Sequence, residues 1–303
     1  VMNAPVKTDT LPEWRLDDLY AGRDDPRIEA DLDKARKAAA ELKAHEGQLI
    51  ADRAAPESLG RRLDAGIALY EVGTNALFGV GAYASLSAST ARDNPAWAKF
   101  EADFRAKAAQ IGAETLWFTL EINQLEDDEL EAALSAHAPA ARWRPWLRRV
   151  RLSRPHELSA DLERLMIDRG PGVANWVRLY DETLARLTAK VGGETLTLPE
   201  ALNRLSDPDA GQRKRAAQGL AKALEARTST LALCLNTLAY EKQVDDRWRK
   251  YPDPAASRHL ANEVDADAVE ALVEAVTEAY PAVSHRYYAL KAKVMGRKTL
   301  DYW

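Results

Sequence analysis

The sequence predicts a mainly α-helical protein, a bundle of long helices carrying one small β-hairpin near residues 187–198. Three observations lead there. Apolar residues recur at steps of three, four and seven along most of the 303 residues, which is the period of an amphipathic helix. Several such stretches begin with a capping residue followed by proline, as in Asp25-Pro26, where the cap satisfies orphan amides and proline needs none. Alternation with period two appears once, on both sides of Gly192-Gly193.

Residues 1–25 read as an extended lead-in with Pro5 and Pro12, in which Trp14, Leu16, Leu19 and Tyr20 dock on a core. After Asp25-Pro26, the stripe Ile28, Leu32, Ala35, Ala39, Leu42 and Leu49 predicts a first helix. A second starts near Pro56 and runs toward Arg92. Its stretch from Val72 to Ala91 has no charge for twenty residues, the length of a membrane span. Its Thr, Asn and Ser content favours instead a buried central helix, with Gly73, Gly79 and Gly81 admitting close neighbours. Asp93-Asn94-Pro95 starts a third helix, with Trp97, Phe100 and Phe104 on one side. Three long helices with short breaks predict an antiparallel bundle.

A short helix at about 127–136 follows, then a segment rich in arginine and tryptophan from Arg142 to Arg154. Ser159 reads as a cap with Asp161 and Glu163 in the first turn, where the helix dipole favours anions. Gly170-Pro171-Gly172 reads as a firm break, Asp207-Pro208 as a helix start, and the following helical pattern extends to about Tyr240. Asp265 caps a helix bearing Val269, Leu272, Val273 and Val276, Pro281 opens or kinks the last one, and Gly296 stops it. The expected division is an N-terminal helical bundle at 1–140 and a second helical region at 141–303.

Composition narrows the chemistry. With 46% apolar and 29% charged residues and a net charge of −5, the chain is neither disordered nor fibrous. One cysteine, Cys234 between Leu233 and Leu235, excludes an intrachain disulfide framework. The N-terminus has no basic-then-apolar leader, so the expected location is cytoplasmic and no membrane association is expected.

Five histidines limit metal chemistry, and they read as ordinary surface or cap positions. A zinc peptidase helix needs His-Glu-x-x-His, because histidines four apart share one face. His45-Glu46 is followed by Leu49 and His156-Glu157 by Ala160, so neither completes it. No nucleophile elbow or phosphate loop is present either. The Arg142–Arg154 segment, with Trp143 and Trp146 interleaved, suits an anion or nucleic acid. The net acidity favours arginines paired with nearby acids over a helical scaffold that binds nucleic acid. A third candidate is the stretch from Arg247 to Asn262, which combines Arg249, Tyr251, His259 and Asn262 in a loop and helix start.

Several segments resemble one family in order along essentially the whole chain. They are Trp14-Arg-Leu-Asp-Asp-Leu-Tyr20, Arg154-Pro-His-Glu-Leu-Ser159, Leu235-Asn-Thr-Leu238 with Lys242-Gln-Val-Asp245, Ser257-Arg-His-Leu-Ala-Asn262, and Arg286-Tyr-Tyr-Ala-Leu-Lys-Ala-Lys293 with Leu300-Asp-Tyr302. The resemblance is to the oligoendopeptidase F family of thimet-oligopeptidase-like zinc metallopeptidases, in its N-terminal half. It implies a helical, bowl-like enzyme that cleaves oligopeptides in a deep channel, of which this chain forms one wall. It implies zinc for the full-length enzyme and no metal or catalytic residue here, since none of the family's zinc ligands has a counterpart in this sequence. The resulting expectation is a chain interrupted before its catalytic half and inactive alone. Arg249, Tyr251, His259 and Asn262 are its best candidates for a channel-facing surface. An apolar face awaiting the catalytic half is expected, which a homodimer could also cover.

Overall fold

The computed structural model describes residues 14–91 and 94–303. Pro5 and Pro12 of the expected lead-in, and Asp93, lie outside the described residues. The chain divides into two compact units, residues 1–151 with 159–171 and residues 152–158 with 172–303.

The first unit is built on three long helices, α1 (Pro26–Lys43), α3 (Pro56–Thr90) and α4 (Pro95–Gln124), which pack on one another. Asp25 caps α1 by accepting from the Arg27 amide at 2.9 Å, and Asn94 caps α4 in the same way through Ala96 at 3.0 Å. Helix α1 stops at Lys43, short of the predicted Leu49. Gly47 turns the chain at φ 83°, and Leu49 rides on the one-turn helix α2 (Gln48–Ala51), where its side chain still enters the core. The uncharged stretch from Val72 lies in α3 and buries Val80, Tyr83 and Ala84. No helix among the described residues is long and apolar enough to cross a membrane.

Two apolar clusters hold this unit. One gathers Leu59, Leu63, Ile67, Phe118 and Ile122 with Leu130 and Leu134 of α5 (Asp127–Ala136) and Leu147 of α6 (Arg144–Leu152). The other joins Ile28, Leu32, Val80 and Tyr83 to Tyr20, with Leu16, Leu19, Trp97, Phe100 and Phe104 against it. Three members of the expected docking group therefore pack, while Trp14 stays exposed. Helix α5 approaches α3 closely because position 60 is glycine: a Cβ there would sit 2.5 Å from the Ala133 carbonyl oxygen.

In the sequence that follows, α7 (Ala160–Ala185) runs unbroken through Gly170-Pro171-Gly172, contrary to the predicted break. Proline removes its own donor and crowds the carbonyl one turn back, a local cost that the rest of this 26-residue helix carries.

The second unit contains the only strands among the described residues, β1 (Thr188–Val191) and β2 (Glu194–Thr197), paired antiparallel with Val191 opposite Glu194. Gly192 and Gly193 turn the hairpin at φ 58° and 94°, the left-handed pair that a two-residue turn requires. Ala189 and Val191 bury one face of β1 with Ala201 of α8 (Leu198–Asn203) and with Ala216 and Leu220 of α9 (Ala210–Glu225). The cap of α9 is Asp209, which accepts from Gln212, rather than the predicted Asp207, whose carboxylate accepts from the Asp209 amide instead. Helix α10 (Thr228–Arg249) continues nine residues past the expected Tyr240. It buries Cys234 while leaving Leu233 and Leu235 half-exposed. The unit ends with α11 (Ala256–Ala261), α12 (Ala266–Ala279), a π turn at Pro281–His285, and α13 (Arg286–Val294), stopped by Gly296 at φ 65°. The architecture is thus mainly helical with one small hairpin.

Candidate functional site

The stretch from Arg247 to Asn262 is less of a loop than its composition suggests. Arg247, Trp248 and Arg249 belong to the last turn of α10, and Lys250 caps that helix at φ 60°. The irregular part is Tyr251 to Ala255, after which α11 begins.

Two polar groups tie this region together. Arg249 donates from Nε to Asp245 Oδ1 at 2.8 Å, one turn earlier, and from its guanidinium to the His156 carbonyl at 3.3 Å. His156 Nδ1 stands 2.8 Å from the Arg249 carbonyl oxygen. A carbonyl only accepts, so Nδ1 carries the hydrogen of this bond. The imidazole also stacks on Tyr251 with ring centres 4.0 Å apart, and burial pushes the Tyr251 phenol above its ordinary value. The second group is centred on Asp246, which is buried and takes the Lys242 ammonium on both oxygens at 2.5 and 2.6 Å. The same ammonium donates to Ser257 Oγ at 2.9 Å, fastening α10 to α11.

The four predicted residues therefore fall into two pairs. Arg249 and Tyr251 come together around His156, with their polar and aromatic groups already engaged. His259 lies half-buried in α11, and Asn262 is exposed at that helix's end. Neither makes a side-chain hydrogen bond among the described residues, so both remain available to a ligand. Sequence reasoning missed His156, Lys242, Asp246 and Ser257 as members of the region. The Lys242 and Asp246 spacing of four on one helix was a usable signal. The His156 to Arg249 link spans 93 residues and had none.

The contacts of this constellation fasten α10 to α11 and to His156. Among the described residues no group of three His, Cys, Asp or Glu side chains is close enough to hold a metal ion.

Arg142, Arg144 and Arg151 of the arginine and tryptophan segment spend their charge within the first unit. Arg142 pairs with Asp64 at 2.8 Å and lies over the Trp143 ring, whose indole also donates to Asp64. Arg144 pairs with Glu131 at 2.5 Å. Arg151 donates to the carbonyls of Ile122 and Leu125 at 3.1 and 2.7 Å and pairs with Asp127, closing the C-terminal end of α4. Trp146 packs on Phe118 and Tyr70. Arg149 and Arg154 also have partners, whereas Arg148 is exposed and has none among the described residues.

Residues 121–188 match the family model described as Oligopeptidase F. Across the chain, the fold matches oligoendopeptidase-F from Enterococcus faecium, with a TM-score of 0.75 at 19% identity, covering 90% of this chain and 54% of that one. The resemblance to the N-terminal part of oligoendopeptidase F holds. A candidate peptidase from Chlamydophila abortus shares the fold with a TM-score of 0.61 at 18% identity, covering 95% of this chain and 48% of its own. The chain spans about half the length of these solved structures. No curated protein matches it significantly. The segment matched by the oligopeptidase F model includes Asn123 and Arg151, which bond α4 to α6, and His156, which holds the end of α10.

Proposed function

We propose that this chain forms the N-terminal, substrate-channel portion of a zinc-dependent oligoendopeptidase acting on short peptides. The observation that supports the reading most is the fold match to oligoendopeptidase-F over 90% of the chain. Arg249, Tyr251, His259 and Asn262 form the peptide-facing surface in this reading. His259 and Asn262 offer free hydrogen-bonding groups to a peptide backbone, while Arg249 and Tyr251 hold the loop in place.

The 303 residues contain no His-Glu-x-x-His, so hydrolysis requires a catalytic half supplied from outside them, and the chain alone is inactive. Channel residues act by orienting the peptide, which lowers the barrier only once the attacking group is present. The test is cleavage of an internally quenched oligopeptide, with and without added zinc, by this chain and by a longer chain of the length of the solved structures. Turnover is expected only in the longer, zinc-loaded chain. Metal-dependent turnover by the 303-residue chain overturns the inactivity, and no cleavage by the longer chain overturns the peptidase reading.

A further inference from the structure

A cavity of about 280 Å³ opens in the first unit where α1, α2, α3 and α4 meet. Its apolar walls are Leu42, Leu49, Trp117 and Phe118, all members of the larger core cluster. Another wall is the face of α3 bearing Ser58, Arg61, Arg62 and Ala65, residues three and four apart that a helix sets in one row. A cavity of roughly 150 Å³ holds one benzene ring, so this one has room for about ten to twelve non-hydrogen atoms.

The lining carries charge of one sign. Arg61 and Arg62 belong to it, whereas among the described residues no aspartate or glutamate does. Arg62 is held in place from outside the cavity by Asp52, which takes its Nε and also accepts from Ser58 Oγ at 2.5 Å. The Gln48 side-chain oxygen takes Nη1, and Nη2 has no partner among the described residues. Arg61 makes one pair, to Glu57 a turn earlier at 2.7 Å, and both side chains are more than half exposed, so water screens it and it holds weakly. Trp117 is 8% exposed, and its indole N–H has no acceptor among the described residues. The unspent capacity of this lining is therefore mainly donor, with positive charge on α3 and aromatic and aliphatic carbon on α1, α2 and α4.

We propose that this cavity binds a small monocarboxylate with an apolar aryl or alkyl body. The carboxylate lies on Arg61 and Arg62, and the hydrocarbon lies on Leu42, Leu49, Trp117 and Phe118. Guanidinium suits a carboxylate because it presents paired donors to paired acceptors. An apolar cation meets like charge there, and a free amino acid brings an ammonium for which the lining has no carboxylate. None of these residues belongs to the stretch from Arg247 to Asn262, so the site does not rest on the peptidase reading.

Isothermal titration of the 303-residue chain with hydrocinnamate or octanoate should show one site per chain, with a Kd on the order of 0.1–1 mM for ligands of this size. Phenylalanine and phenylpropylamine, which keep the ring and chain of hydrocinnamate, should bind at least tenfold more weakly. Ala65→Phe, at an exposed position of α3, fills the cavity and should abolish binding with unchanged helicity by circular dichroism. Arg61→Glu should narrow the preference for carboxylate over amine at least tenfold. Failure of both carboxylates to bind, equal binding of carboxylate and amine, or binding indifferent to either variant overturns the proposal. The readout is heat of binding without peptide cleavage, so its failure is separate from failure of the peptidase reading.

Discussion

Replacing Arg151 by methionine separates a structural reading of the basic segment from a ligand-binding one. The Arg151 guanidinium is 13% exposed and donates to two backbone carbonyls, at 2.7 Å to Leu125 and 3.1 Å to Ile122. Both carbonyls belong to fully buried residues at the end of α4, where helix geometry leaves the last acceptors short of amides and Ile122 takes only that of Leu125, at 3.3 Å. A hydrogen bond to a charged donor contributes about 1.5–3 kcal/mol, and releasing the arginine returns about 1–2 kcal/mol of side-chain entropy. The pair with Asp127, whose side chain is 87% exposed, adds less than about 1 kcal/mol after screening. Methionine keeps most of the apolar stem, so the net loss is about 2–3 kcal/mol. With a urea slope of about 2–3 kcal/mol per molar, the midpoint should fall by about 1 M. Far-ultraviolet circular dichroism of the full chain in urea reads this directly. Arg148→Met is the internal control, since that exposed side chain has no partner and should shift stability by less than about 0.5 kcal/mol. If Arg151→Met leaves the midpoint unmoved, the capping argument fails. If Arg148 and Arg149 variants abolish salt-sensitive nucleic-acid binding, the segment serves a ligand after all.

Four further outcomes are expected. Gly60→Ala should cost about 1–3 kcal/mol in thermal unfolding, because its Cβ would stand 2.5 Å from Ala133 and His137 atoms. Gly112→Ala, in α4 with nothing within 4 Å, should instead stabilise by about 0.5–1 kcal/mol. Burial raises the Glu121 carboxyl above its ordinary 4.5, although Oε1 accepts from the Gly47 amide at 2.5 Å, and Oε2 is buried without a partner. A raised folded-state value means the native chain holds this proton more tightly. That stabilisation is complete below the unfolded value and is lost as pH rises through the folded one. Glu121→Gln should therefore flatten the fall in urea midpoint above pH about 4.5, and an unchanged slope refutes it. His156→Ala should cost about 1–2 kcal/mol through the bond to Arg249 and should open residues 250–255 to limited proteolysis, with loss of protection confined to that loop.

What was legible in the sequence was local. The hairpin needed only two glycines able to adopt positive φ between alternating residues, and its turn falls where they stand. The α1 and α4 starts at Asp25 and Asn94 are likewise reports of a carboxylate or amide reaching amides two residues on. Asp207-Pro208 looked equivalent, but Asp209 offered a second acceptor two residues later and the helix started there. The Gly-Pro-Gly triplet misled because each residue disfavours a helix singly, while more than twenty other residues of α7 keep their helical conformation. Periodicity also marked Val269 to Val276 as helical, but a period specifies a face and not what covers it. The His156 contacts were invisible for a different reason, since two segments 93 residues apart leave no shared local pattern.

The two units treat apolar surface differently, and that bears on how each could serve a peptidase. In the first, Phe118, Leu59, Leu63, Ile122 and Leu125 are sealed at 1% exposure or less, and the charged side chains around them are paired or cap helix ends. Such a body can hold a wall rigid, yet it has little free chemistry to offer a substrate. In the second, the buried cluster around β1 is small and rich in alanine, while tyrosines, valines and leucines of α12 and α13 stand in solvent. Burying one such side chain is worth about 1.5–3 kcal/mol, so a partner covering several of them changes the stability of those helices by more than any single hydrogen bond within them. Anything that covers α12 and α13 would therefore stabilise those helices through that apolar surface before any hydrogen bond within them.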